Sequence, residues 1–479
     1  MKKIKIEDIL CIFLILCPIL DVVSFLFRNH FNTSLSPSTF IRPIIPAIII
    51  IYLFFKEKFK LKIMIVGLIY FAYGVIHLLI YKNILTTSAY GTLVHEAQYI
   101  INYSYMILNL FIYLFVFKNK DTGKLNKSIV ISIFIYITSI YISIITGTSS
   151  STYIEESANI GAMGYKGWFE SGNSISAILT LSMFVLLPLI NKKEYKIKII
   201  ILSLLIGLFL TTLIGTRVGL YGFVLSVFAY VGSNVFVNIA KKAKINKKQI
   251  LVALVLLVVV ISGVGIFGSN TLKRRQNLKE VESEIIDTST GEISYIGGDV
   301  LKVKKGIDNN EILESEFSKP QQKSILSLYD YAKKIELSNS NRRVQQIMYH
   351  TYLLVHQKSF TLTLFGNGYL AHLPELILEM ELPAFFFNFG IIGFALYIIP
   401  FLTILIYSLV FAVKNIRKID VEYLMLAMGA GLAFVLSTLS GYTFFNSSTM
   451  MIIIVINVLL YKKILEIKKG VKTDETIEK

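Results

Sequence analysis

Apolar residues along this chain come in runs of about 17 to 25, each bounded by a basic or polar cluster. That is the length at which a helix crosses a hydrocarbon core roughly 30 Å thick. Windows of about 19 residues predict helices near 9–27, 39–55, 63–81, 98–117, 128–146, 175–190, 199–215, 218–238, 249–268, 384–412, 421–439 and 449–465. The expected fold class is an all-α polytopic membrane protein of about twelve transmembrane helices with both termini on one side. The first run follows Met-Lys-Lys-Ile-Lys and imitates a signal peptide, but it has no small-residue cleavage site and is long enough to span, so it reads as a retained helix.

The pattern divides the chain into helices one to nine (1–268), a large polar loop (269–383), helices ten to twelve (384–465) and a tail (466–479). A polar connection of about 115 residues is long enough to carry function. Its first part, Lys273 to Ser318, is charged and poor in aromatics, and is expected to be mobile. Ile325 to Leu337 has helical spacing, Arg342 to Val355 has apolar residues at three-and-four spacing, and Phe365-Gly-Asn-Gly-Tyr369 reads as a turn.

Composition turns this pattern into a topology. The 479 residues are 54% apolar and only 16% charged, yet the formal charge is +17, and the mean hydropathy is +0.64. The clusters on every second loop and at the two ends hold 29 of the 48 basic and 11 of the 31 acidic residues, a net +18, against −1 for everything else. Positive charge collected on one face marks the cytoplasmic side, so both termini are expected there and the large loop outside. The same distribution removes a nucleic-acid surface, which would need the charge on one polar domain. The only cysteines, Cys11 and Cys17, share the first run, which excludes a disulfide scaffold or a zinc site.

Ionisable residues at membrane depth or at its edge are the informative ones, because burying a charge is expensive unless something compensates it. They are Asp21, Arg42, Arg217 and the acids before the tenth helix, Glu379 and Glu381. Arg217 lies between two helices with glycines on both sides, where a guanidinium suits a diphosphate, or simply snorkels to headgroups. Arg342 and Arg343 are adjacent, so only one easily faces a given site on a helix. An acid pressed against an apolar edge favours its neutral form, a useful property in a general base; the alternative is a polar collar at a helix end. Of the histidines His30, His77, His95, His350, His356 and His372, none forms a His-Glu-x-x-His pair; His350 reads as surface or packing, and His372, near the acids, is a candidate for proton transfer.

Three stretches in order, Gly167-Trp-Phe-Glu-Ser-Gly-Asn173, Gly215-Thr-Arg217-Val-Gly219, and Phe365-Gly-Asn-Gly-Tyr369 with Glu379-Met-Glu381 and Phe389-Gly-Ile-Ile-Gly-Phe394, resemble the O-antigen ligase and polymerase family over nearly the whole chain. The resemblance implies a GT-C-like helical fold and metal-independent, inverting glycosyl transfer at the outer face of the cytoplasmic membrane, with no cofactor. It implies a polyprenyl-diphosphate-linked oligosaccharide as donor and as acceptor, contact with membrane lipids, a chain-length regulator and a flippase as further partners, and no nucleic acid. Carried over, it assigns diphosphate binding to Arg217 and to Arg342 or, by a one-residue shift, Arg343; Arg42, from its place at the membrane, and Asn173, in the first stretch, are further substrate-site candidates. In the ligases a His-Asn pair lies eleven residues before the first glycine of the Gly-x-x-Gly helix start; counting back from Gly390 reaches Glu379, so this chain departs there. The base is then expected to be Glu379 or Glu381, with His372 a lesser candidate. Polymerisation onto a second lipid-linked repeat unit, as in capsule or exopolysaccharide synthesis, is the expected reaction. Transfer to a different acceptor, whether lipid, protein or wall polymer, and transport of lipid-linked oligosaccharide remain the alternatives.

Overall fold

The computed structural model describes residues 5–31, 36–56, 60–84, 93–154, 162–192, 195–242, 247–281, 299–312, 319–336, 342–357, 359–368 and 378–477. Each hydrophobic run forms a helix. The first nine are α1 (Ile6–Phe31), α2 (Pro37–Lys56), α3 (Lys60–Ile84), α4 (Leu93–Phe117), α5 (Gly123–Ile145), α6 (Gly172–Leu189), α7 (Lys196–Leu208), α8 (Arg217–Ala240) and α9 (Lys247–Phe267). The long polar segment adds α10 (Asn270–Val281), α11 (Asp299–Asp308), α12 (Lys319–Lys334), α13 (Arg342–Gln357) and the short α14 (Phe360–Phe365), and three helices close the chain, α15 (Glu381–Lys414), α16 (Val421–Leu439) and α17 (Ser447–Ile477). Within lipid a helix satisfies every backbone donor and acceptor internally, which is why runs rich in β-branched isoleucine are helical here.

Among the described residues eleven helices are long and apolar enough to cross a membrane. The protein is therefore an all-α, multi-pass membrane protein. The twelfth predicted span, α17, is outside that set: residues 448–460 are buried, and the helix then continues through a lysine-rich half. An antiparallel hairpin of β1 (Ser150–Ile154) and β2 (Ala162–Gly167) is an addition that the helical pattern did not announce.

The chain packs as two compact units. The first comprises Met1–Leu53, Tyr105–Arg275 and Phe401–Lys479. At its centre α6 is buried over nearly its whole length, with α8, α16 and α17 against it. Between α7 and α8 a π-helical turn (Phe209–Leu213) leads to Gly215, whose φ of +82° breaks the run. Thr216 then caps α8, its hydroxyl accepting from the Gly219 amide at 3.1 Å. Two helices rather than one kinked span result.

The second unit comprises Phe54–Ser104 and Gln276–Pro400. The stretch expected to be mobile contributes two helices, α10 and α11, and the reason for α11 is local packing. Its Val303 is buried with Ile325, Leu328, Ala332 and Tyr349 of α12 and α13, enough apolar surface to order a charged helix. In the same unit, rings of Tyr73, Tyr103, Phe385, Phe389 and Tyr397 pack together at centroid separations of 4.9–6.4 Å. The tenth span is not one straight helix: Gly390, at φ +68° and ψ −174°, interrupts α15.

Candidate functional site

Arg343, Gln346 and His350 are spaced by three and four, so they share one face of α13. Arg343 Nε donates to Glu379 Oε2 at 3.3 Å, and Gln346 Oε1 accepts from the Glu379 backbone N–H at 3.2 Å. His350 is buried with its ring 5.7 Å from that of Phe387. The pair Arg343–Glu379 is 39% and 32% exposed, open enough for a ligand to compete with either partner. Of the two acids expected to act, Glu381 is fully buried as the first residue of α15, whereas Glu379 stays accessible. Of the adjacent arginines, Arg343 reaches the acid; Arg342 is the first residue of α13. His372 lies outside the described residues.

The turn read at Phe365-Gly-Asn-Gly is held by backbone pairing with α15. The Asn367 amide donates to Phe387 O at 2.8 Å and the Gly368 amide to Asn388 O at 2.9 Å. Glycine is required on both sides of this contact: a Cβ on Gly366 would stand 2.2 Å from Asn388 O, and one on Gly390 2.4 Å from the Leu364 carbonyl carbon. Both residues also have positive φ. The interruption of α15 therefore lies directly against this turn.

A buried pair that sequence reasoning missed supports the same turn. His77 of α3 and Glu96 of α4 are each 1% exposed, with Nε2 and Oε1 2.7 Å apart, while His77 Nδ1 lies 2.7 Å from Phe365 O. A carbonyl only accepts, so Nδ1 carries a hydrogen. A lone histidine and a lone acid 19 residues apart in separate apolar runs leave no spacing signal.

In the first unit, Arg217 is the exposed first residue of α8. The start of α10 is tied to the same helix break: Asn270 Nδ2 donates to Leu213 O at 2.9 Å and Thr271 Oγ1 to Thr216 O at 3.2 Å. Asn173, in the first turn of α6, accepts from Tyr153 Oη at 3.3 Å, and the Arg274 guanidinium lies 3.6 Å over the Tyr153 ring. Arg42 is enclosed. Its Nη2 donates to Asp21 Oδ1 at 2.6 Å, Ser448 Oγ at 2.7 Å and Cys17 O at 3.3 Å, and its Nη1 to Ser447 Oγ. Asp21 Oδ2 accepts in turn from Tyr136 Oη at 2.8 Å and Ser448 Oγ at 2.5 Å.

Two comparisons place no neighbour beside the chain: no curated protein and no solved structure matches it. A third does, since the family model described as "O-antigen ligase like membrane protein" matches residues 3–468.

Proposed function

The chain belongs to the O-antigen ligase-like family of membrane proteins, and from that premise we propose that it is a polysaccharide polymerase, transferring a polyprenyl-diphosphate-linked glycan to a second lipid-linked repeat unit at the outer face of the cytoplasmic membrane. The observation that carries the reading is the Arg343–Glu379 pair. One residue read as a cation for diphosphate and another read as a base are 36 positions apart, and the fold of one unit puts them 3.3 Å from each other at a half-open surface.

A glycosyl diphosphate is already activated, so two things remain to be supplied: positive charge for the departing diphosphate and a base for the attacking hydroxyl. Arg343 supplies charge with a guanidinium suited to bidentate phosphate contacts. Diphosphate competes with Glu379 for that guanidinium, so arrival of the donor leaves the carboxylate ready to take a proton. The acceptor oxygen then bonds to the anomeric carbon as the bond from that carbon to the diphosphate oxygen breaks on the opposite face. The proton goes to Glu379, the electron pair leaves with polyprenyl diphosphate, and the configuration inverts. The family resemblance adds Arg217 as a diphosphate ligand. Its place at the N-terminus of α8, where first-turn amides add partial positive charge, suits that role.

Reconstitution in vesicles with lipid-linked repeat units from the source cells tests the reading. Wild-type protein is expected to lengthen the glycan and release polyprenyl diphosphate, whereas a transporter would only relocate it. Arg217→Ala and Arg343→Ala are each expected to lower output by about 10²- to 10³-fold; full output from both at normal protein levels would remove these residues from the reaction.

A further inference from the structure

Asparagines buried in the helices of this protein commonly bond back along their own helix: Nδ2 of Asn109, Asn234 and Asn457 donates to the carbonyl four residues earlier, at 2.7–2.8 Å. Asn367 does not. It is 0% exposed, and neither Oδ1 nor Nδ2 has a hydrogen-bond partner; among the described residues it is the only side chain with two such buried atoms. An unpaired buried carboxamide carries the full desolvation penalty of its polar atoms, so the fold keeps Asn367 at a loss. The backbone around it is nonetheless tightly fixed, by the bonds to Phe387 O and Asn388 O and by His77 on Phe365 O. The backbone bonds place the turn, and the carboxamide itself has no structural partner in it.

Resting on the transferase reading, we propose that the Asn367 carboxamide binds a hydroxyl of the acceptor sugar. A hydroxyl both donates and accepts, matching Oδ1 and Nδ2. The adjoining Gly368 leaves no room for a side chain, since a Cβ there would lie 2.4 Å from the Tyr81 ring and 3.3 Å from the Glu96 carboxyl carbon. The position suits an acceptor as well. The Asn367 backbone N–H is bonded to Phe387 O, the Phe387 ring lies 5.7 Å from that of His350, and the same face of α13 carries Gln346 and Arg343 to Glu379, the base of the proposed reaction. Because no part of the carboxamide reaches solvent, the sugar enters by local opening of the turn. His77 and Glu96 act as positioning residues through Phe365.

The test compares full-length wild type with Asn367→Leu, nearly isosteric and apolar, and Asn367→Ala, which adds no bulk. Three quantities are read in detergent or vesicles: Tm, binding of polyprenyl diphosphate, and transfer from lipid-linked repeat units of the source cells. Both variants are expected to keep their Tm or gain a few degrees, bind polyprenyl diphosphate as wild type does, and lose transfer by roughly 10- to 100-fold with a raised KM for acceptor. Wild-type transfer in either variant overturns the assignment. So does a lower Tm in both, which would show that the carboxamide already holds a structural partner such as a water. A wild-type protein without transfer activity refutes the transferase reading itself, and this inference with it; an active wild type beside active variants refutes this inference alone.

Discussion

Two arginine–carboxylate pairs stand at opposite ends of what such a pair can be. Arg42–Asp21, in the first unit, is 2.6 Å long with side chains 10% and 20% exposed, and both partners are engaged by Ser448, with Ser447 on the arginine and Tyr136 on the acid. Arg343–Glu379, in the second, is 3.3 Å long with about one-third of each side chain open. The first joins α1, α2, α5 and α17 and is largely enclosed; the second lies open enough for the proposed diphosphate to compete for its guanidinium. Charge alone does not mark a site. How far the partners are open to solvent separates these two.

The largest expected effect comes from breaking the closed pair. Asp21→Ala leaves the Arg42 guanidinium buried beside hydroxyls and a carbonyl with no counter-charge, and removing one partner of a buried pair costs about 3–5 kcal/mol. Thermal unfolding in detergent should show a fall in Tm together with lower yield in membranes. The double replacement Asp21→Leu with Arg42→Met should recover most of that loss, because a buried pair exchanged for apolar residues is close to neutral. An Asp21→Ala protein as stable as wild type would abolish the distinction between the two pairs.

What the sequence makes legible follows the same division. Transfer of a run of side chains into lipid is a local property, so the lengths of the apolar runs predicted the helices. The ionic residues Asp21, Arg42, Arg217 and Glu379 also stood out, since charge at depth is improbable without a reason. Which of them are paired is a tertiary matter. Asp21 and Arg42 are 21 residues apart on separate helices, Tyr136 is 115 residues beyond Asp21, and their serine partners lie more than 400 residues further on. The Gly-Asn-Gly turn was readable as a turn, but the burial of Asn367 depends on the interruption of α15 at Gly390, which the apolar pattern of that run conceals. His77–Glu96 gave no motif, and the β1–β2 hairpin was too short to register as alternation.

Breaking the open pair should have the opposite signature, a large loss of chemistry with little loss of fold. Glu379→Gln preserves shape and removes the proton acceptor, and a general base contributes about 10²- to 10⁴-fold. Transfer in vesicles should fall by that factor, while Tm stays within the shift of a surface substitution, about 0.5 kcal/mol. Glu381→Gln is the control. If Glu379→Gln transferred normally and Glu381→Gln did not, the buried acid would be the base and the open pair would be a surface contact.

The smallest effect is also the one that separates the pairs most cleanly, because it uses no substrate. In a double-mutant cycle on Tm with Arg343→Ala and Glu379→Ala, the coupling is expected to be about 0.2–1 kcal/mol, the range of exposed pairs, and to shrink as salt rises to about 1 M, where the Debye length falls to about 3 Å. The Arg42–Asp21 cycle should be larger and nearly indifferent to salt, since ions do not reach a pair enclosed by four helices. Equal couplings with equal salt dependence would mean that exposure does not set the character of these pairs. Diphosphate competition for Arg343 would then lose its physical basis, because a strongly coupled Glu379 would not release the guanidinium to a ligand.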